Sequence, residues 1–173
     1  MRLYASQVSK ISQEVVRALV AAGQEGGIEA EQPREVERDV AAVLQSYLDM
    51  EKEVSERTRE LLQRTNRGPS EFQKVKEQIA ESKGIKVGDE TLDYLLDQVV
   101  EMLMHSNNVD EVWGADVDLR RAMASIFKKY MAADDSVDAE VRAQLRHVKE
   151  GTREWDIEYG RVLEQIKRKK GLA

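Results

Sequence analysis

The residues that could bind a metal ion lie in one helical stretch. Asp97, Glu101 and His105 follow one another at intervals of four, so a helix places them on one face, where carboxylates and imidazole can bind a divalent cation. A di-metal helical bundle instead uses Glu-x-x-His on two helices with further inward glutamates, and this spacing does not match. A histidine ending a helix before a turn at residues 106–108 is the more ordinary interpretation. The sequence predicts no cofactor and keeps a metal site as a weak alternative.

Signatures of enzymes are missing from the sequence. It contains no Cys, which excludes disulfides, thiolate nucleophiles and thiolate metal ligands. Neither a Gly-x-Ser-x-Gly elbow nor a Gly-x-x-x-x-Gly-Lys-Ser/Thr loop occurs, and Gly23, Gly26 and Gly27 lack the strand that must precede a phosphate loop. Carboxylates are plentiful, but they have the spacing of ion pairs on helix surfaces. The sequence therefore predicts a protein that is not an enzyme.

Charge is distributed unevenly along the chain. The net charge is −6, yet residues 87–119, the acidic segment, contain no Lys or Arg. The carboxylates of this segment are Asp89, Glu90, Asp93, Asp97, Glu101, Asp110, Glu111, Asp116 and Asp118. Positive charge is concentrated at positions 161–170, in a basic tail formed by Arg161, Lys167, Arg168, Lys169 and Lys170.

Two interpretations of the basic tail remain open. The ordinary one is a solvated run, or a run paired with carboxylates of the same protein. The functional one is contact with nucleic acid or the ribosome. No aromatic residues are interleaved with these cations, and a patch of four or five binds weakly at physiological salt. Nucleic acid is therefore a possible partner, but not the preferred one.

The elements that position these residues are helices. From Pro33 to Thr65 the apolar residues alternate steps of four and three, which predicts one long amphipathic helix. These residues are Val36, Val40, Val43, Tyr47, Met50, Val54 and Leu61. Hydrophobic residues make up 41% and charged residues 35% of the chain, a balance typical of a folded helical protein rather than a disordered one. We predict an all-α fold.

The pattern of apolar residues occurs twice. The first helix carries Val8, Ile11, Val15, Val16, Leu19 and Val20, and the same spacing recurs, at one constant offset, in Leu92, Leu95, Val99, Val100, Leu103 and Met104. Val112 follows Ile28 at the same offset, and the long helices match after one position is dropped. We interpret this as a tandem duplication, with repeats 1–84 and 85–173 packed as one pseudo-twofold helical bundle. At most a minimal sheet is expected, where Leu3, Ile28, Val87 and Val112 meet.

Turn residues predict where the other helices begin and end. Ser70 and Gln73 have the spacing of a capping box at the start of a short helix. In the second repeat, Gly151 and Thr152 are expected to end the long helix, and residues 134–136 could kink or restart it.

Trp113 is the most informative single residue. It stands where the first repeat has Glu29, so the two repeats differ at this position. The sequence favours a core position for Trp113, because an indole in an acidic loop needs an apolar slot. The alternative is an interface anchor, with Trp113 and its neighbours Glu111 and Asp116 contacting a partner. Trp155 is expected in the core.

Three features of the sequence resemble a known family. They are the opening Met1-Arg2-Leu3-Tyr4, the crossover Gly26-Gly27-Ile28-Glu29, and the doubled layout. Together they resemble the bacterial domain-of-unknown-function family 507 over essentially the whole chain. The resemblance implies a bacterial, intracellular setting and carries no activity.

The function that the sequence favours is a non-enzymatic interaction module or scaffold. Its partner is expected to be another protein or a second copy of itself. The N-terminus lacks an apolar run of signal-peptide length, and no stretch approaches the roughly 20 apolar residues of a membrane span. A cytoplasmic protein without membrane contact is therefore expected.

Overall fold

The computed structural model describes residues 2–170, apart from the side chains of residues 133–135. Its α-helices are α1 (Val8–Ala22), α2 (Pro33–Arg64), α3 (Phe72–Ser82), α4 (Thr91–His105), α5 (Asp116–Gln144) and α6 (Arg153–Lys169). Two strands of two residues each, β1 (Ile28–Glu29) and β2 (Glu111–Val112), form the described sheet. The predicted all-α fold is confirmed. In this part of the chain, no helix is both long enough and apolar enough to span a membrane.

The elements follow one another in a doubled order. Helix, two-residue strand, long helix and closing helix occur first as α1, β1, α2 and α3, and then as α4, β2, α5 and α6. The predicted duplication requires this order. The duplication itself, its boundaries 1–84 and 85–173, and its pseudo-twofold packing stay predictions.

The chain divides into two compact units, each built from separate segments. Unit 1 combines Met1–Met50 with Lys86–Ala132, and unit 2 combines Glu51–Ile85 with Ala133–Ala173. The divisions fall inside α2 and α5, so each unit takes chain from both proposed repeats.

The core of unit 1 is formed by the apolar faces predicted from the sequence. α1 buries Ile11, Val15 and Leu19, and α4 buries the residues at the matching offset, Leu95, Val99 and Leu103. The long helices add Val36, Val40, Leu44, Leu119, Met123, Phe127 and Met131, all with essentially no exposed surface. Burial of large aliphatic side chains contributes about 1.5–3 kcal/mol each, so these faces decide how the helices pack.

The two short strands pair antiparallel within unit 1. Ile28 lies opposite Val112 and Glu29 lies opposite Glu111. The backbone N–H of Trp113 donates to the carbonyl of Gly27 at 2.9 Å, which extends the pairing beyond Val112. The expectation that Leu3 and Val87 join this sheet is wrong. Both are buried, but each directly precedes the residues that lead through a 3-10 turn into the next helix.

Two glycines next to this sheet lie too close to other backbone atoms to carry a side chain. A Cβ on Gly27 would lie 2.0 Å from the carbonyl oxygen of Leu19, and one on Gly114 would lie 2.2 Å from that of Gly26. Atoms at such distances overlap, and the obstacles are backbone atoms that cannot rotate away. The crossover beside β1 and the residue after Trp113 therefore require glycine for space.

Unit 2 has its own core, where α6 packs on the end of α5. Its buried cluster consists of Val137, Val141, Leu145, Tyr159, Val162 and Ile166. Trp155 is half-buried against this cluster, and its ring stacks on Tyr159 with centroids 4.8 Å apart. The expected core position of Trp155 is thus partly realised.

The predicted end of α5 is wrong, because the helix ends at Gln144 instead of near Gly151. The helix runs without interruption through residues 134–136, so the restart that the sequence left open does not occur. Thr152 begins α6 because its hydroxyl accepts a hydrogen bond from the Trp155 N–H at 3.2 Å, as an N-cap does. The capping box at Ser70 does not form, because Ser70 lies inside a 3-10 turn (Pro69–Glu71) and the N-cap of α3 is Glu71, whose side chain makes no capping hydrogen bond.

Adding one methyl group at Gly27 and at Gly160 should have opposite effects. Gly27→Ala forces the backbone apart and should lower the free energy of unfolding by about 2 kcal/mol or more. Gly160 is exposed inside α6 with no atom near its missing Cβ, so Gly160→Ala should raise stability by about 0.5–1 kcal/mol. Urea unfolding followed by circular dichroism measures both. Equal stability of the Gly27→Ala variant and the original protein would contradict the crowding at Leu19.

Candidate interaction surface

β2 brings Trp113 to the surface of unit 1. Ile28 is fully buried, and side chains alternate between the two faces of a strand pair, so the neighbours of Ile28 and Val112 point away from the core. Trp113 is 46% exposed, and its Nε1 donates to Glu29 Oε2 at 3.4 Å. The interpretation favoured by the sequence, a core position for Trp113, is wrong.

Two carboxylates share the outer face of the sheet with the indole. Glu29 and Glu111 are directly opposite each other in the register, and both are exposed. Like charges at directly opposed positions destabilise a strand pair. Asp116 follows Trp113 closely in the chain and opens α5. We call Glu29, Glu111, Trp113 and Asp116 the tryptophan face.

The carboxylates of the tryptophan face have no cationic partner among the described residues. Other carboxylates of the acidic segment do: Arg120 pairs with both Asp93 and Asp97, and Lys86 lies 3.8 Å from Glu90. Asp118 is used differently, because it accepts the N–H of Ala115 at 3.2 Å and shapes the loop. The carboxylates of the tryptophan face are therefore not neutralised by any described cation.

The predicted metal-binding residues are not assembled as ligands. The carboxylate of Asp97 forms an ion pair with Arg120. Nδ1 of His105 lies 2.8 Å from the backbone carbonyl oxygen of Glu101, so the ring is engaged by its own helix. In the described part of the chain, no three His, Asp or Glu side chains group as metal ligands. The metal alternative gains no support from this geometry.

The basic tail extends from Arg161 in the middle of α6 to Lys170 just after the helix, and most of its cations contact carboxylates. Arg161 pairs with Glu158 at 2.7 Å, Arg168 lies 4.0 Å from Glu164, and Lys170 pairs with Glu140 on α5. Lys167, Arg168 and Lys169 occupy the last turn, where cations interact favourably with the helix dipole. These contacts support the ordinary interpretation, and contact with nucleic acid remains an untested alternative.

Unit 2 contains a cavity of about 870 Å³ that the sequence did not reveal. It lies beside Phe72 and Arg142, and Arg142 pairs there with Asp138 at 2.8 Å and Glu150 at 2.7 Å. Burial opposes the charged form of Arg142, but the hydrogen bonds to Glu150 and Asp138 outweigh it and raise the pKa above its ordinary value. Since its own carboxylates already satisfy Arg142, the cavity offers no free anion-binding group at this residue.

Unit 1 also contains an ion-paired network that joins α1 to α5. The hydroxyl of Tyr130 donates to Glu14, and Nζ of Lys129 lies 3.2 Å from the same carboxylate. The Tyr130 hydrogen bond lowers the pKa of Glu14 below its ordinary value, burial opposes this, and Lys129 and Arg17 lower it further. The same contact raises the pKa of Lys129 and of Tyr130.

The fold and the surface define an all-α protein with an exposed tryptophan and neighbouring carboxylates that no described cation neutralises. The family described as "Protein of unknown function (DUF507)" matches residues 1–172, and the chain belongs to this family. The resemblance noted in the sequence is thus confirmed. No curated protein matches the chain.

Fluorescence quenching should show the charge around Trp113. Trp155→Phe leaves Trp113 as the sole tryptophan. Each quenching constant is divided by that of free N-acetyltryptophanamide, because the two ions differ in intrinsic efficiency. Cations collect where the potential is negative, so this ratio should be about twofold or more higher for Cs⁺ than for I⁻ at equal ionic strength. Neutral acrylamide reports exposure, and Glu29→Gln with Glu111→Gln should reduce the difference between the Cs⁺ and I⁻ ratios. Equal ratios for both ions before these substitutions would contradict the unneutralised face.

Acid should weaken the contribution of Glu14 to stability. The pKa of Glu14 is lowered by folding from its ordinary value of 4.5, so its contribution is present above that value and is lost as pH falls through the folded-state pKa. The gap in urea midpoint between the original protein and Glu14→Gln should therefore shrink below about pH 4.5. Glu60→Gln, a change at an exposed glutamate of α2, serves as control. A gap independent of pH would contradict the assignment.

Proposed function

We propose that this protein is a non-enzymatic interaction module whose tryptophan face binds a cationic surface on another protein. One observation carries the proposal: Trp113 is 46% exposed and hydrogen-bonded to Glu29, and no described cation neutralises Glu29, its cross-strand neighbour Glu111, or Asp116. The proposal includes a cytoplasmic setting, which the absence of Cys supports without requiring it.

Both components of the face gain energy from such a partner. Tryptophan is enriched among the residues that dominate binding energy, and truncating such an anchor typically costs about 2–4 kcal/mol. A Lys or Arg placed between Glu29 and Glu111 would turn their opposition across the strands into two attractions. An Arg could also lie over the exposed indole as a cation–π pair. The expected partner surface is therefore basic, with an apolar slot for the ring.

The charge of the face selects among classes of partner. Phosphate backbones and anionic headgroups are repelled by unpaired carboxylates, which disfavours nucleic acid and membranes at this surface. A second copy using the same face would bring identical acidic groups together. A different protein with a positive patch is the partner that the electrostatics support best.

The proposal is tested by finding the partner at this face and then measuring its affinity. A photo-crosslinking amino acid replaces Val117, which is 63% exposed in the first turn of α5, and the captured protein is purified. Trp113→Ala should weaken its binding at least tenfold in calorimetry, since an anchor of about 2 kcal/mol is worth more than a factor of ten. Glu111→Gln should weaken it less and reduce its salt dependence.

The matched control is Ile157→Ala, which truncates an apolar side chain that is 62% exposed in unit 2. It should leave the affinity unchanged. Equal affinity of the original protein and the Trp113→Ala variant for every captured partner would refute the proposed role of the tryptophan face.

A further inference from the structure

Unit 1 has two helix pairs that would be equivalent if the chain is duplicated. One joins α1 to α5, and the Glu14, Lys129 and Tyr130 network closes it. The other joins α2 to α4, where the Tyr47 hydroxyl lies 3.3 Å from Thr91 Oγ1 and its ring centroid lies 5.7 Å from that of Tyr94. The surfaces of the two pairs differ.

The α2–α4 pair carries an open groove of about 380 Å³. Its wall is formed by Val43, Ser46, Met50, Tyr94, Gln98 and Met102. A second hollow of about 510 Å³ shares Met102 and Asp39 with the groove and extends it past His105. From Tyr94 to His105 the groove follows α4 for about 17 Å, the length of roughly three helical turns.

The predicted repeat provides an internal comparison for this groove. When the two repeats are aligned, Gln98 corresponds to Glu14, and Lys129 corresponds to Ser46. The ion pair that crosses the α1–α5 surface is thus replaced by two short or neutral side chains across the α2–α4 surface. The second surface lacks the charged contact that covers the first, and apolar side chains are left lining a hollow.

The electrostatics of the groove indicate the sign of its occupant. Neither hollow is lined by Lys or Arg among the described residues, and α4 belongs to the acidic segment. Asp39 accepts hydrogen bonds from Ser106 Oγ at 2.6 Å and from Asn108 Nδ2 at 2.9 Å, and no described cation pairs with it. Neutral donors hold this carboxylate at the junction of the two hollows while its charge stays uncompensated.

We propose that the α2–α4 groove binds a basic amphipathic helix of a partner protein. Methionine and tyrosine walls adapt to inserted aliphatic side chains, as in other grooves that receive helices. The helix lays one apolar stripe against Val43, Met50 and Met102, and a Lys or Arg side chain beside that stripe meets Asp39. This site is separate from the tryptophan face and does not depend on its function.

Two synthetic helices, each of about five turns, test the sign and the location of binding. Both carry the same leucine stripe, and the remaining positions are Lys in one and Glu in the other. The Lys helix should bind, and the Glu helix should bind at least tenfold more weakly by fluorescence anisotropy. In ¹³C-methyl methionine spectra, the Lys helix should shift Met50 and Met102, while Met123 and Met131, which are fully buried in the core, should not move.

The decisive variant introduces the ion pair of the α1–α5 surface at the corresponding positions of the α2–α4 surface. Ser46→Lys with Gln98→Glu leaves net charge unchanged, so a loss of binding cannot come from the overall field. It should weaken the Lys helix at least tenfold with unchanged helical circular dichroism. Glu14→Gln with Lys129→Ser, at the corresponding positions of α1 and α5, should leave affinity within twofold.

Three results would overturn the proposal. The first is equal binding of the Lys and Glu helices, and the second is no binding of either. The third is binding that shifts the Trp113 indole resonance without shifting Met50 and Met102, which would place the helix on the tryptophan face. The methionine shifts are measured on the unaltered protein, so the test remains decisive even if the double variant folds poorly.

Discussion

The short antiparallel pairing of β1 and β2 is the contact on which the described surface of unit 1 depends. It is only two residues long on each strand, yet it joins segments far apart in the chain and buries Ile28 while sending Glu29, Glu111 and Trp113 outward. Gly114 lets the segment after β2 approach the backbone of Gly26 more closely than any side chain would allow, and Gly27 permits the same closeness between β1 and the end of α1. A sheet this small would be unstable alone, so the helices around it supply the packing that holds it.

The acidic segment shows how one run of charge can serve several purposes. Asp93 and Asp97 pair with Arg120, and Asp118 caps a loop, so these carboxylates stabilise the fold. Glu29, Glu111 and Asp39 are held in place by the fold, yet no described cation neutralises them. Charge alone does not mark a functional surface. The informative distinction is between carboxylates that the protein satisfies with its own cations and those that it leaves available.

The sequence predicted the helices and their buried faces well because periodic apolar residues report burial directly. It placed both ends of α2 almost correctly and paired Ile28 with Val112 through the constant offset between the repeats. It misjudged Trp113 because residue type favours the core, whereas the strand register sends this side chain outward. It also missed the α2–α4 groove, since a groove arises from how two helices meet, and neither helix shows it alone. The end of α5 was misplaced because Gly151 and Thr152 were interpreted as its stop signal, whereas Thr152 caps the start of the following helix.

The interleaving of segments in the two units has a consequence for biosynthesis. Each unit combines chain from both halves, so unit 1 lacks α4 and β2 until the chain has grown past Val112, and unit 2 lacks α6 until it has grown past Lys169. A nascent chain that emerges from its N-terminus therefore cannot finish one unit and then begin the next. Non-local pairing of this kind also slows folding, since distant segments must meet before their contacts compensate for lost chain entropy. The first half of the chain must therefore avoid aggregation until its packing partners have been synthesised, and the dense surface charge of α2 favours this.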